Sequence, residues 1–471
     1  MRTRFIKDYD VSRLKSADYN PRKLDESKAE KLRYSIGKFG IIKPLIVNGA
    51  NGVLTAGHQR TNAIKALGIK KVPVIRIESI DRQDEIRFNL FHNSIETNKT
   101  PVKIGLKSTD TGYTVIKPED ISFKQNLNPT VVSAISKLIY QYGEWGSIVA
   151  NQSGKVILNN DYAVAAKLTN TEVICYVVKN DEVKELCELL SIDYGEYYYE
   201  KLGIKSYNQL YCQMHRLDNP RKENKSTTYE GYVMPMMNKN IRMLDFGAGR
   251  CAYAKKLRKA GYKVCMYEPN FQNHSNNIDI RAVVEMLKDI YKDVKQNGLF
   301  DVVVLDSVYN SVVNSEVERY VTLACNCFLK RDGVFITGTR NLGSVDSKMR
   351  MTKLKSNKNR YIEFLDKNNF TATYRSGVWT MQHFHTQETL RELLQDYFKE
   401  VETYGVKTGS NIYAKCRYPK QFPIDECITA LEFELNMEYP NNYRHNRHRE
   451  LLDLLARLVQ ERAQDTTHTS T

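Results

Sequence analysis

Residues 243–269 read MLDFGAGRCAYAKKLRKAGYKVCMYEP, and this run constrains the fold more than any other in the chain. An apolar strand ends in Asp245-Phe-Gly-Ala-Gly249, a helix follows, and a second strand closes at Glu268. Gly247 and Gly249 let the backbone turn tightly and approach a ligand where a Cβ would clash. The carboxylate about 20 residues on is placed to take the two hydroxyls of a ribose. From residue 227 strand and helix alternate, which predicts a parallel sheet with helices on both faces. Ligands of such sheets bind at the carboxyl ends of strands, beside the switch in strand order. The loops holding Asp245 to Gly249, Glu268 and Asp306 are therefore expected to converge.

A dinucleotide fingerprint would place a third glycine at position 252, which is alanine. The Asp-x-Gly-x-Gly form followed by the glutamate resembles motif I and the acidic residue of class I S-adenosylmethionine-dependent methyltransferases. That resemblance implies S-adenosyl-L-methionine as cofactor. Asp245, Gly247 and Gly249 would line its amino-acid moiety, Glu268 its ribose, and Asp306 would border the same site. Asp306-Ser-Val-Tyr309 stands where DNA amino-methyltransferases carry Asp-Pro-Pro-Tyr; the outer residues match and both prolines are absent. The likeness implies a catalytic pair, Asp306 accepting a hydrogen bond from the target amino group and Tyr309 stacking on a flipped base. The dipeptide Pro-Cys does not occur, which removes the usual nucleophile for methylation at cytosine C5.

The rest of the chain bounds the partners. Hydrophobic content of 41% and charged content of 27% in 471 residues are those of a soluble globular protein. No apolar run approaches the roughly 18 residues of a membrane span, and the start MRTRFIKDYD has no secretory apolar region. The nine cysteines form no Cys-x-x-Cys pair, so a reducing cytoplasm fits and neither zinc ribbon nor disulfide framework is implied. Net charge is +15, and it is unevenly spread: residues 1–100 and 201–300 are each strongly basic, whereas 101–200 is acidic. A phosphate-rich partner is expected at the basic segments and not at the acidic one.

Within the first hundred residues Asn20-Pro21-Arg22 makes a turn, and Asp25 to Phe39 has helical spacing ending at Gly40. Strands Pro44–Val47 and Val53–Thr55 lead to the loop Ala56-Gly57-His58-Gln59-Arg60. A helix to Leu67 and the strand Val72–Ile77 complete the unit. With Asn89-Leu-Phe-His-Asn93-Ser-Ile-Glu96, this run resembles the N-terminal domain of the ParB/sulfiredoxin-like superfamily. The resemblance implies that Gly57, His58, Gln59 and Arg60 bind nucleotide phosphate and that Asn93 and Glu96 complete the pocket. The physics agrees, since free N–H groups at a helix start attract anions and arginine forks onto phosphate. His58-Gln59 replaces the Glu-Arg of many members.

Residues 120–200 read as a second, diverged copy. Leu32 to Gly40 answers Ile135 to Gly143, Leu45-Ile-Val-Asn48 answers Ile148-Val-Ala-Asn151, and Val72–Ile75 answers Val173–Tyr176. In place of Ala56 to Arg60 the second copy has Asn159-Asn-Asp-Tyr-Ala163, so the glycine and arginine are gone and Asp161 would repel phosphate. The copy keeps the fold and has lost the site.

The whole chain is thus expected to be α/β, two small ParB-like units before a Rossmann-like methyltransferase domain and a short helical extension. The boundaries read as 1–105 and 115–216 for the two copies and 217–226 for a linker. The catalytic domain follows at 227–418, C-terminal helices at 419–463 and a disordered tail at 464–471. Arg340, Lys348, Arg350, Lys353, Lys355, Lys358 and Arg360 form a basic run on the rim of the catalytic loop, suited to a nucleic-acid backbone. His383 and His385 share one strand face; with no third ligand near them in the sequence, packing or substrate contact is expected and no metal. The expected function is methyl transfer from S-adenosylmethionine, to the amino group of a DNA base, with the ParB-like module binding nucleic acid or a nucleotide. Such a fusion resembles DNA-modification proteins of phages and mobile elements. A small-molecule or protein methyltransferase is the first alternative, and a nucleotide-dependent DNA-binding switch or nuclease the second.

Overall fold

The computed structural model describes residues 3–19, 26–93, 102–124, 129–190, 226–273, 278–312, 314–344, 364–365, 369–375, 378–439 and 442–464. The chain divides into two compact units, Met1–Ile204 with Asp346–Trp379, and Lys205–Val345 with Thr380–Thr471. Residues 217–225 of the expected linker and 465–471 of the expected tail lie outside the described residues.

In the first unit β1 (Thr3–Asp10), α1 (Glu26–Phe39), β2 (Leu45–Asn48), β3 (Leu54–Ala56), α2 (His58–Ala66), β4 (Lys71–Ile77) and α3 (Arg82–Asn93) follow in order. Their sheet runs β1-β4-β2-β3, with β2 parallel to β4 and antiparallel to β3. Every residue of β2 is buried: Leu45 to Val47 are apolar, as a strand covered on both faces requires, and Asn48 donates to the Ile80 carbonyl and Glu85 Oε1 at 3.0 and 2.6 Å.

The next elements are β5 (Lys103–Ile104), β6 (Gly112–Ile116), β7 (Ile121–Ser122), α4 (Pro129–Tyr142), β8 (Ser147–Asn151), β9 (Val156–Leu158), α5 (Asn160–Leu168), β10 (Val173–Val178) and α6 (Val183–Leu190). Their main sheet, β6-β10-β8-β9, repeats the first in order and strand sense. Register agrees too: Leu45 pairs with Val74, and Ile148 with Cys175. One detail differs from the sequence comparison. The second copy is one residue shorter before its helix, so Asn159 occupies the place of Gly57, both left-handed caps with φ of 66° and 101°. Tyr162 then stands where Arg60 stands.

An apolar core joins the two copies, including Ile75, Phe88, Val132, Trp145 and Cys175, and a smaller cluster sets Phe39 and Ile42 against Val149 and Val178. Phe88 of α3 meets Tyr142 and Trp145 edge-on at 5.4 and 4.8 Å. The tyrosines of the second copy also reach back polar-end first, Tyr176 donating to the carbonyl of Phe39 at 3.2 Å and Tyr113 to that of Ile41.

The second unit contains β11 (Arg242–Phe246), α7 (Ala252–Lys259), β12 (Lys263–Tyr267), α8 (Ile280–Asn297), β13 (Phe300–Asp306), α9 (Ser315–Cys327) and β14 (Leu329–Arg340). β15 (Phe364–Leu365) and β16 (Phe370–Arg375) belong to the segment Asp346–Trp379 of the first unit, and β17 (Val378–His383) runs from that segment into the second. The second unit then continues with α10 (Gln387–Gln395), β18 (Phe398–Tyr404), β19 (Asn411–Pro419), α11 (Ile424–Leu435) and α12 (Arg449–Gln464). The large sheet runs β12-β11-β13-β14-β19-β18, its first four strands parallel and β19 antiparallel to both its neighbours. Strand order reverses at β11, which makes its carboxyl end the switch point.

Two buried arginines cap helices of this unit. Arg242 donates to the carbonyls of Asn297, Gly298 and Leu299 at 2.8, 3.0 and 2.8 Å, just past the end of α8. Arg462 of α12 donates to the carbonyls of Asn326 and Leu329 at 2.8 and 2.6 Å, at the end of α9. Carbonyls at a helix end have no partner within the helix, so a cation there supplies both hydrogen bonds and a favourable charge. No helix among the described residues is long and apolar enough to cross a membrane.

Candidate functional site

Three loops meet at the switch point. The backbone of the first turns at Gly247 and Gly249, with φ of 73° and 56°. A Cβ on Gly247 would lie 2.4 Å from Cγ2 of Val308, so this turn packs directly on the loop after β13. Gly249 donates its N–H to Oε2 of Glu268 at 2.7 Å, and Asn270 donates to Oε1 at 2.9 Å. Turn and acid are thereby one rigid piece. Asp245 is buried near the end of β11, and its charge and that of Asp306 act on the Tyr229 hydroxyl. Burial first, and then these two carboxylates, push the pKa of Tyr229 well above its usual value.

Asp306, at the end of β13, is half-buried and held by hydroxyls. Ser226 donates to its Oδ2 at 2.6 Å, and Thr228 and Ser307 donate to Oδ1 at 2.7 and 3.2 Å. Ser307 has φ of 62°, a left-handed conformation uncommon for a residue with a Cβ. Ser226 and Thr228 were not found by sequence reasoning. Their only signal is a Ser-x-Thr pair just upstream of the first strand. The Tyr229 ring stacks on that of Tyr253 at 4.3 Å, which places aromatic surface beside the acid.

Tyr309 is a correction. Expected to stack on a flipped base, it is fully buried, with its hydroxyl 2.8 Å from Oγ1 of Thr322 and its ring edge-on to His385 at 6.0 Å. The chain turns inward at residues 309–311 and delivers the aromatic to the core behind the loop. A third side chain joins the two histidines. Glu318, from α9, is the third side chain that sequence proximity did not offer: its Oε1 lies 2.9 Å from Nδ1 of His383 and 2.8 Å from Nε2 of His385. Burial pushes the Glu318 carboxyl up, but the two imidazoles outweigh it and bring the pKa down to about 2.

In the first unit, Gly57 has no room for a side chain: a Cβ would lie 2.4 Å from Cδ2 of Leu45. His58 is buried, and its Nε2 accepts the N–H of Ala17 at 3.3 Å. Burial, helped by the charge of Arg60, lowers its pKa to about 4 and keeps it neutral. Arg60 is half-buried. Its guanidinium donates to the carbonyls of Lys43 and Pro44, and burial lowers its pKa to about 10. In the second copy the Tyr162 hydroxyl accepts the N–H of Gly146 at 2.9 Å, bracing the corresponding loop. Gln59 begins α2 beside His58, Asn93 ends α3, and Glu96 lies outside the described residues. Of the basic run, Arg340 is exposed at the end of β14; Lys348, Arg350, Lys353, Lys355, Lys358 and Arg360 lie outside the described residues.

Comparison with known proteins agrees with these two readings of the chain. Residues 2–94 match the ParB N-terminal domain, and residues 223–397 match a methyltransferase domain. A probable chromosome-partitioning protein ParB from Campylobacter jejuni is 32% identical over 98 residues, covering 20% of this chain and 35% of the relative. The chain thus spans about a third of the length of that curated relative. Among solved structures, truncated ParB from Caulobacter crescentus complexed with CTP-gamma-S is 23% identical, covers 19% of this chain and 51% of that one, and has a TM-score of 0.17. A SAM-dependent methyltransferase from Bacteroides fragilis, in complex with S-adenosyl-L-homocysteine, is 15% identical with coverage of 41% and 78% and a TM-score of 0.27. The chain joins a ParB N-terminal domain to a methyltransferase domain in a single polypeptide.

Proposed function

We propose that this chain is an S-adenosylmethionine-dependent methyltransferase that acts on nucleic acid, with its ParB-like module engaging nucleotide phosphate or a nucleic-acid backbone. The observation that carries the cofactor assignment is the Gly249–Glu268 hydrogen bond of 2.7 Å across the switch point. It joins the glycine turn to the acid, so both would face one ligand, and the buried Asp245 and Glu268 would give that ligand's ammonium and hydroxyl groups charged partners. The residues present therefore fit this cofactor. When bound it supplies a methyl group on a positively charged sulfur. Gly247 and Gly249 would hold its amino-acid end and Glu268 its ribose. Asp306, anchored by Ser226 and Thr228, holds the acceptor in line and orients its proton-bearing group.

Glu268→Gln should keep the shape of the acid and remove its charge. A charged hydrogen bond contributes about 1.5–3 kcal/mol, or roughly 10- to 150-fold in affinity. Calorimetry with S-adenosylhomocysteine reads this directly; equal affinity for both proteins would reject the ribose assignment.

The nucleic-acid target rests on the basic charge of the first and third segments and on the place of Asp306. Mass spectrometry of nucleosides from cells expressing the intact chain beside Asp306→Ala is the test. A modified base found only with the intact chain is expected, and unmodified DNA and RNA from both would end that reading. The burial of Tyr309 favours a second reading, in which the acceptor is a small molecule or a protein held without base stacking. Transfer to such an acceptor would be nearly independent of salt, whereas neutralisation of phosphates weakens steeply with it.

A further inference from the structure

We propose that Glu318, His383 and His385 form a binding site for a divalent transition-metal ion of the zinc or iron(II) class. The three side chains come from α9, the end of β17 and the residue bridged to Asn341 just beyond β14. Their donor atoms all lie within 4.8 Å of one another, and all three residues are buried. Glu318 Oε1 is 2.9 and 2.8 Å from the two imidazole nitrogens. Zinc holds imidazole nitrogen and carboxylate oxygen at about 2.0–2.2 Å in tetrahedral array, so two donors on one ion sit about 3.3–3.6 Å apart. The side chains need only small adjustments to surround one.

The donor set selects the ion. Two imidazoles and one carboxylate, without thiolate, suit zinc and iron(II); calcium and magnesium demand oxygen ligands throughout. The outer contacts are those of a metal ligand. His385 Nδ1 lies 3.3 Å from Oγ1 of Thr389, and the Tyr309 ring stands edge-on against the His385 ring. Such partners fix the tautomer and the angle of a ligating imidazole. Placed here, an ion would tie α9 to the segment after β17. Because Thr322 of α9 bonds Tyr309, it would also stiffen the loop that begins at Asp306.

The competing account is a hydrogen-bonded core triad with no ion. Tag-free full-length protein, stripped with EDTA and then exchanged into zinc, separates the two. A single equivalent of zinc should survive gel filtration, as read by elemental mass spectrometry. Cobalt(II) in its place should develop a visible absorption band that neither protein nor free ion shows, and the thermal midpoint should rise on adding either metal. His385→Gln and His383→Gln should lose bound metal, colour and the midpoint rise, whereas His448→Gln should keep all three. Wild-type protein that keeps its circular dichroism after stripping but takes up neither zinc nor cobalt would overturn the proposal, whatever the variants do.

Discussion

Tyr309→Ala is expected to destabilise the methyltransferase domain by about 3–5 kcal/mol, the usual range for emptying a buried aromatic site. In a domain of this size that is a fall in thermal midpoint of roughly 6–20 °C. The ring is fully enclosed, so truncation leaves a cavity that the rigid strand end at Asp306 cannot close. Tyr309→Phe should be mild. Thr322 already donates its hydroxyl to the carbonyl of Glu318 at 2.7 Å, so it is the acceptor for Tyr309. Losing that one bond costs about 1 kcal/mol. Denaturation followed beside methyl transfer decides between a core ring and a base-stacking one. An Ala variant of unchanged stability that has lost activity would put the ring back in the site.

The second large effect is on the first unit, and it follows pH. His58 is held to about 4 when folded, against an ordinary 6.5. Between these values the unfolded chain takes up a proton that the folded chain refuses, so stability falls as pH drops from 6.5 and levels off near 4. At about 1.4 kcal/mol for each pH unit between the two, the total is about 3 kcal/mol. Hydrogen exchange of peptides from α2, corrected for intrinsic rate, should therefore show protection lost through this window. His58→Gln should flatten the dependence. Protection in α2 that is equal at pH 7.5 and pH 4 in the parent protein would contradict the buried, neutral imidazole.

These two residues mark where sequence stops being legible. Elements whose cause is local were readable: the glycine turn with its acid, the apolar run of β2, the duplicated strand spacing. Their side chains need only their own segment to explain them. Tyr309 was misplaced because a family motif fixes a residue's position along a loop, and the loop's inward turn depends on a pocket built by α9. Glu318 was missed because it is 65 residues from His383 and 67 from His385, and a glutamate in a helix reads as solvated until a buried partner is known. The brace made by Arg60 was unreadable for the same reason, since its partners are main-chain carbonyls, which carry no side-chain signature.

The grip of Arg462 on the end of α9 has a bearing on how the polypeptide matures. Chains emerge from the ribosome amino end first, and domains generally fold as they appear. The apolar core shared by the paired copies is drawn from residues between Ile46 and Val177, so it can settle early. The carbonyls of Asn326 and Leu329 must wait until residue 462 has been made. During translation, then, the core between the two copies would form well before the end of α9 could be capped.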